Sequence, residues 1–275
     1  MTEAGTGPGG NSAPIAAPKT GCPELGTAPE REKGFSAERL ARLAEIERWH
    51  FWFAGRRALL EWVWKQYRGA TGGLVLDLGC GTGAWLEVLR RDSQTLLGID
   101  LLSEGLQKVR SAAPGSWLVQ AEATQLPLPK ALLGHVLMLD VLEHVDDRQA
   151  LAEVHRVLSP QGRVILMVPA IAWLWSYRDV AAGHLRRYSR GQIMRVCREA
   201  GFSIELVRRY QFLLLPLIIL TRLLGRRGPR LRDLEEAPHP ALNAILRWAN
   251  VLEAKLSRYI SWPWGSSILV VCTKP

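Results

Sequence analysis

Residues 73–85 read GLVLDLGCGTGAW: a strand-length apolar run interrupted by Asp77, then Gly79, Gly81 and Gly83, then the start of a helix, AWLEVLRRD. An apolar strand that passes through glycines straight into a helix predicts the first turn of an alternating strand–helix fold. The missing side chains there let the backbone take positive φ and approach a ligand closely. Outward from this turn the alternation repeats. TLLGID (95–100), WLVQAEA (117–123), HVLMLDV (135–141), GRVILMVPA (162–170) and FSIELVRRY (202–210) read as strands, with EGLQKVRSA, DRQALAEVHRVL and RGQIMRVCREA as helices between them. Ser103 and Ser189 are placed to cap two of these helices. Such an alternation predicts an α/β fold, a Rossmann-like seven-stranded and mostly parallel sheet covered by helices on both faces, closed by SSILVVCTKP (266–275).

The flanking segments divide the chain further. Residues 1–34 are rich in Gly, Pro, Ala, Thr and Ser with no apolar signal core, and read as a disordered tail. Residues 35–70 carry one long helical pattern that Ser36 can cap and that we expect to break near Gly55, giving two cap helices. Residues 71–210 form the main domain, 211–264 a helical insertion and 265–275 the final strand. Four cysteines lie far apart with no Cys-x-x-Cys spacing, which excludes a zinc cluster and suits a reducing cytoplasm. Net charge is +9, but the excess is local: Arg178 to Arg232 holds thirteen arginines, no lysine and three acids. Because that basic stretch adjoins the aliphatic run FLLLPLIIL, an anionic membrane surface is the expected partner, and nucleic acid is not.

The ligand chemistry follows from Asp77. Gly79, Gly81 and Ala84 satisfy a loose dinucleotide fingerprint with Asp100 placed for a ribose. A carboxylate two residues before the first glycine would repel a diphosphate, whereas S-adenosylmethionine presents an ammonium and a sulfonium and no phosphate. With these residues in place, the chain resembles the class I S-adenosylmethionine-dependent methyltransferases. VLDLGCGTG is similar to their first motif, GID to the ribose-binding acid, AEATQLPLP to the adenine-contacting segment, and LDVLEHVDD with RVLSPQGRVILMVP to the later strand–helix–strand. The resemblance implies a donor site of Asp77, Gly79, Cys80, Gly81, Gly83, Asp100, Leu101, Glu122, Ala123 and Asp140, with S-adenosylmethionine as cofactor.

For the acceptor side, an alcohol or phenol must lose a proton as it attacks the methyl group, so His144 or His184 is expected as base, with Asp140 and Tyr188 beside it. The triplet Asp140, Glu143 and His144 also resembles the metal-holding E-x-x-E-H of ubiquinone-pathway and small-RNA 2′-O-methyltransferases. It is the alternative, as a divalent-metal set, to an expected metal-free site. HFWFAGRR and GHLRRYS resemble a bacterial subgroup associated with glycan, lipid or secondary-metabolite pathways. The expected reaction is O-methylation of a hydrophobic, lipid-linked or secondary-metabolite acceptor. The alternative keeps the fold without methyl transfer, as a cyclase-like catalyst or a binding partner at the membrane.

The insertion is read in two ways. FLLLPLIIL is too short to span a bilayer. As a helix over 212–224, paired with a second helix whose apolar face is Leu242, Ile245, Leu246, Ala249, Leu252, Leu256 and Ile260, it would make a hairpin lying in the membrane interface, with Arg222, Arg226, Arg227, Arg230 and Arg232 at its turn. Otherwise both helices pack on the sheet or on a second subunit.

Overall fold

A computed structural model of the chain describes residues 37–69, 73–92, 95–224 and 238–275. The expected tail, the Ser36 cap and Arg226, Arg227, Arg230 and Arg232 lie outside the described residues. Seven strands form one sheet in the order β3-β2-β1-β4-β5-β7-β6. They are β1 (Leu74–Leu78), β2 (Leu96–Asp100), β3 (Trp117–Gln120), β4 (Leu133–Leu139), β5 (Leu158–Pro169), β6 (Ser203–Tyr210) and β7 (Ser267–Thr273). The first five are parallel and β7 runs antiparallel to both its neighbours. The expected mostly parallel sheet is what the chain forms.

Side chains alternate across these strands, so each strand serves two cores. On one face Leu76, Ile99, Val136 and Val164 pack with Leu151 and Val154 of α5 (Asp147–Val157) and Ile193 of α7 (Arg190–Glu199). On the other, Val75, Leu137 and Ile165 pack with Leu59 and Val63 of α2 (Phe51–Tyr67), Leu86 of α3 (Ala84–Leu89) and Val109 of α4 (Ser103–Ala112). Capping follows the expectation at Ser189, whose hydroxyl accepts from Gln192 N in a full capping box. At α4 the cap position is Leu102, and Ser103 is already the first helical residue.

The N-terminal pattern breaks earlier than expected. A first helix, α1 (Ala37–Ile46), ends before a turn at Glu47–Trp49, and His50 caps α2 by accepting from Trp52 N at 3.2 Å. Gly55 sits inside α2. Its role is steric: a β-carbon there would overlap Tyr210 Oη and lie 2.5 Å from Asn250 Cγ, at the seam between α2 and the last helix, α9 (Pro240–Leu256). Gly55→Ala should therefore destabilise the protein by about 1–3 kcal/mol, although alanine is the better helix former. A urea titration checks this; an unchanged or raised midpoint would show that the seam is not close-packed.

The insertion also differs from a free hairpin. α8 (Leu215–Leu224) starts three residues after Phe212 and buries Leu215 and Ile218, with Leu214 just before it, against Phe51 and Leu174. α9 lies along α2, and its Leu246 reaches the edge of the same cluster. Of the expected apolar face of α9, Ile245 and Ile260 are exposed, and the face that turns inward carries Asn250, Glu253 and Ser257. These polar groups meet fixed backbone partners. Asn243 Oδ1 accepts from Phe51 N, Asn250 Nδ2 donates to Phe51 O, and the Glu253 carboxylate accepts from Phe212 N at 2.7 Å and Leu213 N at 2.9 Å. Leaving those groups buried and unpaired would cost about 1–3 kcal/mol each, so hydrogen bonding orients α9 together with the burial of Ala254 and Leu246.

Candidate functional site

The loops after β1, β2, β4 and β5 gather at the carboxyl edge of the parallel strands. The first is the glycine turn, where Gly79, Gly81 and Gly83 all have positive φ (77°, 52° and 83°). Gly79 needs both freedoms of glycine, because a β-carbon there would also overlap Val141 Cγ2 of the loop after β4. Hydrogen bonds from Gly79 N and Cys80 N to Ile99 O, and from Gly81 N to Asp100 Oδ2 at 2.8 Å, bind the turn to the end of β2. Asp100 Oδ1 accepts from Leu102 N at 2.9 Å. Burial raises the Asp100 pKa, and the backbone N–H groups of Leu102, Gly81 and Leu101 oppose the rise.

Asp77 is buried beneath this turn, and its carboxyl is pushed up to about 7, first by burial and then by the neighbouring Asp100. Two acids crowded beside a glycine cradle make a poor phosphate site and a suitable one for a ligand that brings positive charge. The chemistry of these donors fits the ammonium and sulfonium of S-adenosylmethionine. The remaining wall follows β3. Ala121 N donates to Asp100 O, Gln120 Nε2 donates to Leu101 O, Thr124 Oγ1 donates to Glu122 Oε2 at 3.3 Å, and Ala123 is buried.

Three expected residues are placed otherwise. The Cys80 side chain packs into the core with Leu86, and burial, with Asp77 and Asp100 nearby, raises its thiol far above the ordinary range. The Cys80 backbone is bonded within the turn, its N–H donating to Ile99 O and its carbonyl accepting from Gly83 N. Asp140, at φ 56°, forms an ion pair with Arg56 of α2, so neither a metal nor a donor contact has its carboxylate to itself. Tyr188 is buried in the core, where its hydroxyl donates to Asp147 Oδ2 at 3.0 Å and bonds Leu142 O at 3.3 Å. Burial and the Asp147 charge drive its pKa upward, which removes it from acid–base duty.

The two histidines do come together, with ring centroids 4.9 Å apart at 78°. His184 Nδ1 lies 2.9 Å from Asp179 Oδ1, so the Nδ1–H tautomer donates to the carboxylate and leaves Nε2 with the lone pair. His144 Nδ1 is 3.3 Å from Gly183 O. Asp179, fully buried on α6 (Tyr177–Ala182), also accepts from Arg187 Nε at 2.7 Å and Nη2 at 3.1 Å. Burial alone would raise its pKa, but the bonds from His184 and Arg187 and the Arg187 charge outweigh it, and Asp179 stays ionised below the ordinary range.

Beside this dyad stands Glu143, at 0 % exposure, with neither carboxylate oxygen hydrogen-bonded and Oε1 3.9 Å from His184 Nε2. Burial, then the Asp140 charge, raises its pKa well above the usual carboxylate range. The metal set that the structure assembles among the described residues is Glu143, His144 and His184, with ligand atoms within 4.8 Å of one another. It replaces the expected Asp140, Glu143 and His144.

Sequence reasoning missed two arginines. Arg222, expected at a membrane-facing turn, points inward from α8, bonds Ser176 Oγ and comes within 3.7 Å of Asp179 Oδ2. Arg56 sits in the quoted HFWFAGRR, but nothing local marks it as the partner of Asp140 across the site. Ser176 and Asp179 close a capping box on α6, so the aliphatic run is tied through Arg222 to the carboxylate that orients His184. Phe51, Leu174, Leu215 and Ile218 form a buried apolar cluster, with Trp52 and Ile171 packed on it, and α8, which carries Leu215 and Ile218, also carries the Arg222 that reaches Asp179.

A methyltransferase-domain family model matches residues 76–166. A probable S-adenosylmethionine-dependent methyltransferase of Mycobacterium tuberculosis is 24% identical over 246 residues, covering 88% of this chain and 79% of that protein. One from Mycolicibacterium smegmatis is 25% identical over 159 residues, and the match spans 57% of this chain and 61% of the relative. The crystal structure of the [4+2]-cyclase SpnF shares the fold at a TM-score of 0.54 and 19% identity, with 80% of each chain covered. The glycine turn, the paired acids Asp77 and Asp100, the matched domain and these relatives carry one conclusion: residues 76–166 are a methyltransferase domain, and the chain is similar to S-adenosylmethionine-dependent methyltransferases.

Proposed function

We propose that the chain methylates a hydroxyl group on a hydrophobic acceptor, with His184 as the base. The observation that carries this reading is the Asp179–His184 dyad, tied through Arg222 to a helix whose apolar face is buried in the neighbouring cluster. Bound S-adenosylmethionine supplies an electrophilic methyl group on a sulfonium. With that donor bound, the acceptor oxygen would take the methyl group in exchange for its proton, which His184 Nε2 would accept. Asp179 holds the ring and stabilises the imidazolium that results. The apolar cluster of Phe51, Leu174, Leu215 and Ile218 beside the site supports the choice of a hydrophobic acceptor. A neutral amine would not need this base before attack, which is why the dyad favours a hydroxyl.

The test is transfer of a labelled methyl group from S-adenosylmethionine into organic-soluble hydroxylated compounds. Label recovered in an ether bond supports the reading. Release of S-adenosylhomocysteine with label only in water-soluble amines would overturn it. The SpnF cyclase shares this fold, so product formation without S-adenosylhomocysteine would instead favour the cyclase-like alternative.

Donor binding should also depend on pH through Asp77. Its carboxyl is protonated below about 7 in the free protein and must ionise to pair with a cation. Affinity for S-adenosylmethionine should rise between pH 6 and 8, and binding near neutrality should release protons. Calorimetry in buffers of different ionisation enthalpy measures both. Stability of the free protein runs the opposite way. A carboxyl whose folded pKa is raised contributes most at pH below its unfolded value near 4, and that contribution is lost as pH climbs through 7.

A further inference from the structure

The outward face of α9 is the unexplained surface. Because Asn250, Glu253 and Ser257 turn inward, Ile245 and Trp248 are left outward at 64% and 68% exposure, and Tyr259 just past the helix at 86%. Positions 245, 248, 252 and 259 follow the helical repeat and form one strip, with Leu252 half-buried within it. Arg247, Lys255 and Arg258, all exposed, form a second strip alongside. The one acid of α9, Glu253, is buried at the opposite side, so this outer face carries three cations and no carboxylate of its own helix. Among the described residues no helix is long and apolar enough to cross a membrane.

We propose that this face of α9 docks on the surface of an anionic lipid bilayer. Trp248 and Tyr259 sit at headgroup depth, Ile245 and Leu252 enter the acyl boundary, and Arg247, Lys255 and Arg258 meet lipid phosphates. Aromatic and aliphatic side chains edged by unopposed cations match a surface that is apolar inside and negative outside. This surface stands independently of the acceptor reading. It shares Ile245 and Leu252 with the expected hairpin but takes other basic residues, since Arg222 is turned inward to Ser176.

The experiment is flotation of the full chain with vesicles of phosphatidylglycerol and phosphatidylcholine, or of phosphatidylcholine alone. The protein should favour the anionic vesicles by more than about tenfold and lose that preference at high salt. The variant Ile245→Ser with Trp248→Ser, and the variant Arg247→Glu, Lys255→Glu and Arg258→Glu, should each weaken binding by at least about tenfold. Both should keep the unfolding midpoint of the parent, because the replaced side chains face outward. No binding by the parent, equal binding to neutral vesicles, or undiminished binding by both variants would overturn the proposal. So would a dimer in sedimentation that Trp248→Ser dissociates while vesicles capture nothing, because the face would then belong to a second copy.

Discussion

Replacing His184 by alanine should lower methyl turnover by about 10²- to 10⁴-fold and leave donor affinity unchanged, the cost expected of removing the proposed general base. The same replacement at His144 should cost less, because its Nδ1 faces the Gly183 carbonyl, whereas His184 is oriented by the ionised Asp179. Asp179→Asn should fall between them, keeping the ring in place while favouring the wrong tautomer. Single-turnover rates with saturating donor separate these effects from binding. A chelator tells the base apart from the alternative. If activity vanishes on chelation and returns with Mg²⁺ or Mn²⁺, then Glu143, His144 and His184 hold a metal and His184 is a ligand. Full activity in both histidine variants would place the acceptor chemistry elsewhere.

Asp100→Ala should weaken S-adenosylmethionine binding by about 1.5–3 kcal/mol, or roughly ten- to a hundredfold, the range for losing a charged hydrogen-bond partner. Two causes add here. The carboxylate is lost to the ligand, and the glycine turn loses the bonds from Gly81 N and Leu102 N that hold it against β2. Asp77→Asn gives a sharper signature. It should weaken the donor while raising the melting temperature of the free protein at neutral pH, because it removes an acid that burial and Asp100 disfavour. Calorimetry and thermal melts on one preparation report both quantities. A variant that loses donor affinity and stability together would mean that Asp77 supports the fold and does not wait for a cation.

The strand–helix alternation, the glycine turn and the acids at 77 and 100 were all legible in the sequence. Each rests on short-range rules: alternation along a strand, positive φ at glycine, and a carboxylate a fixed number of residues from a turn. The position of Asp77 was enough to favour a cationic ligand over a diphosphate before any coordinates. The helix break was misplaced for a related reason. Gly55 looked like a local breaker, but its small size serves Tyr210 and Asn250, which are remote in sequence.

What tertiary structure alone decided are the pairings between distant segments. Arg56 neutralises Asp140, Arg222 reaches Ser176 and Asp179, and Tyr188 gives its hydroxyl to Asp147. None of these has a sequence pattern, because a buried charge or hydroxyl takes whatever partner the packing of the helices brings within bonding distance. The orientation of α9 shows the same physics. Periodicity assigned its apolar residues to one face, but it could not tell whether that face looks in or out. The backbone N–H groups of Phe51, Phe212 and Leu213 needed acceptors, and Asn243 and Glu253 supply them, so Asn250, Glu253 and Ser257 turned inward beside Ala254 while Ile245 and Trp248 were left at the surface.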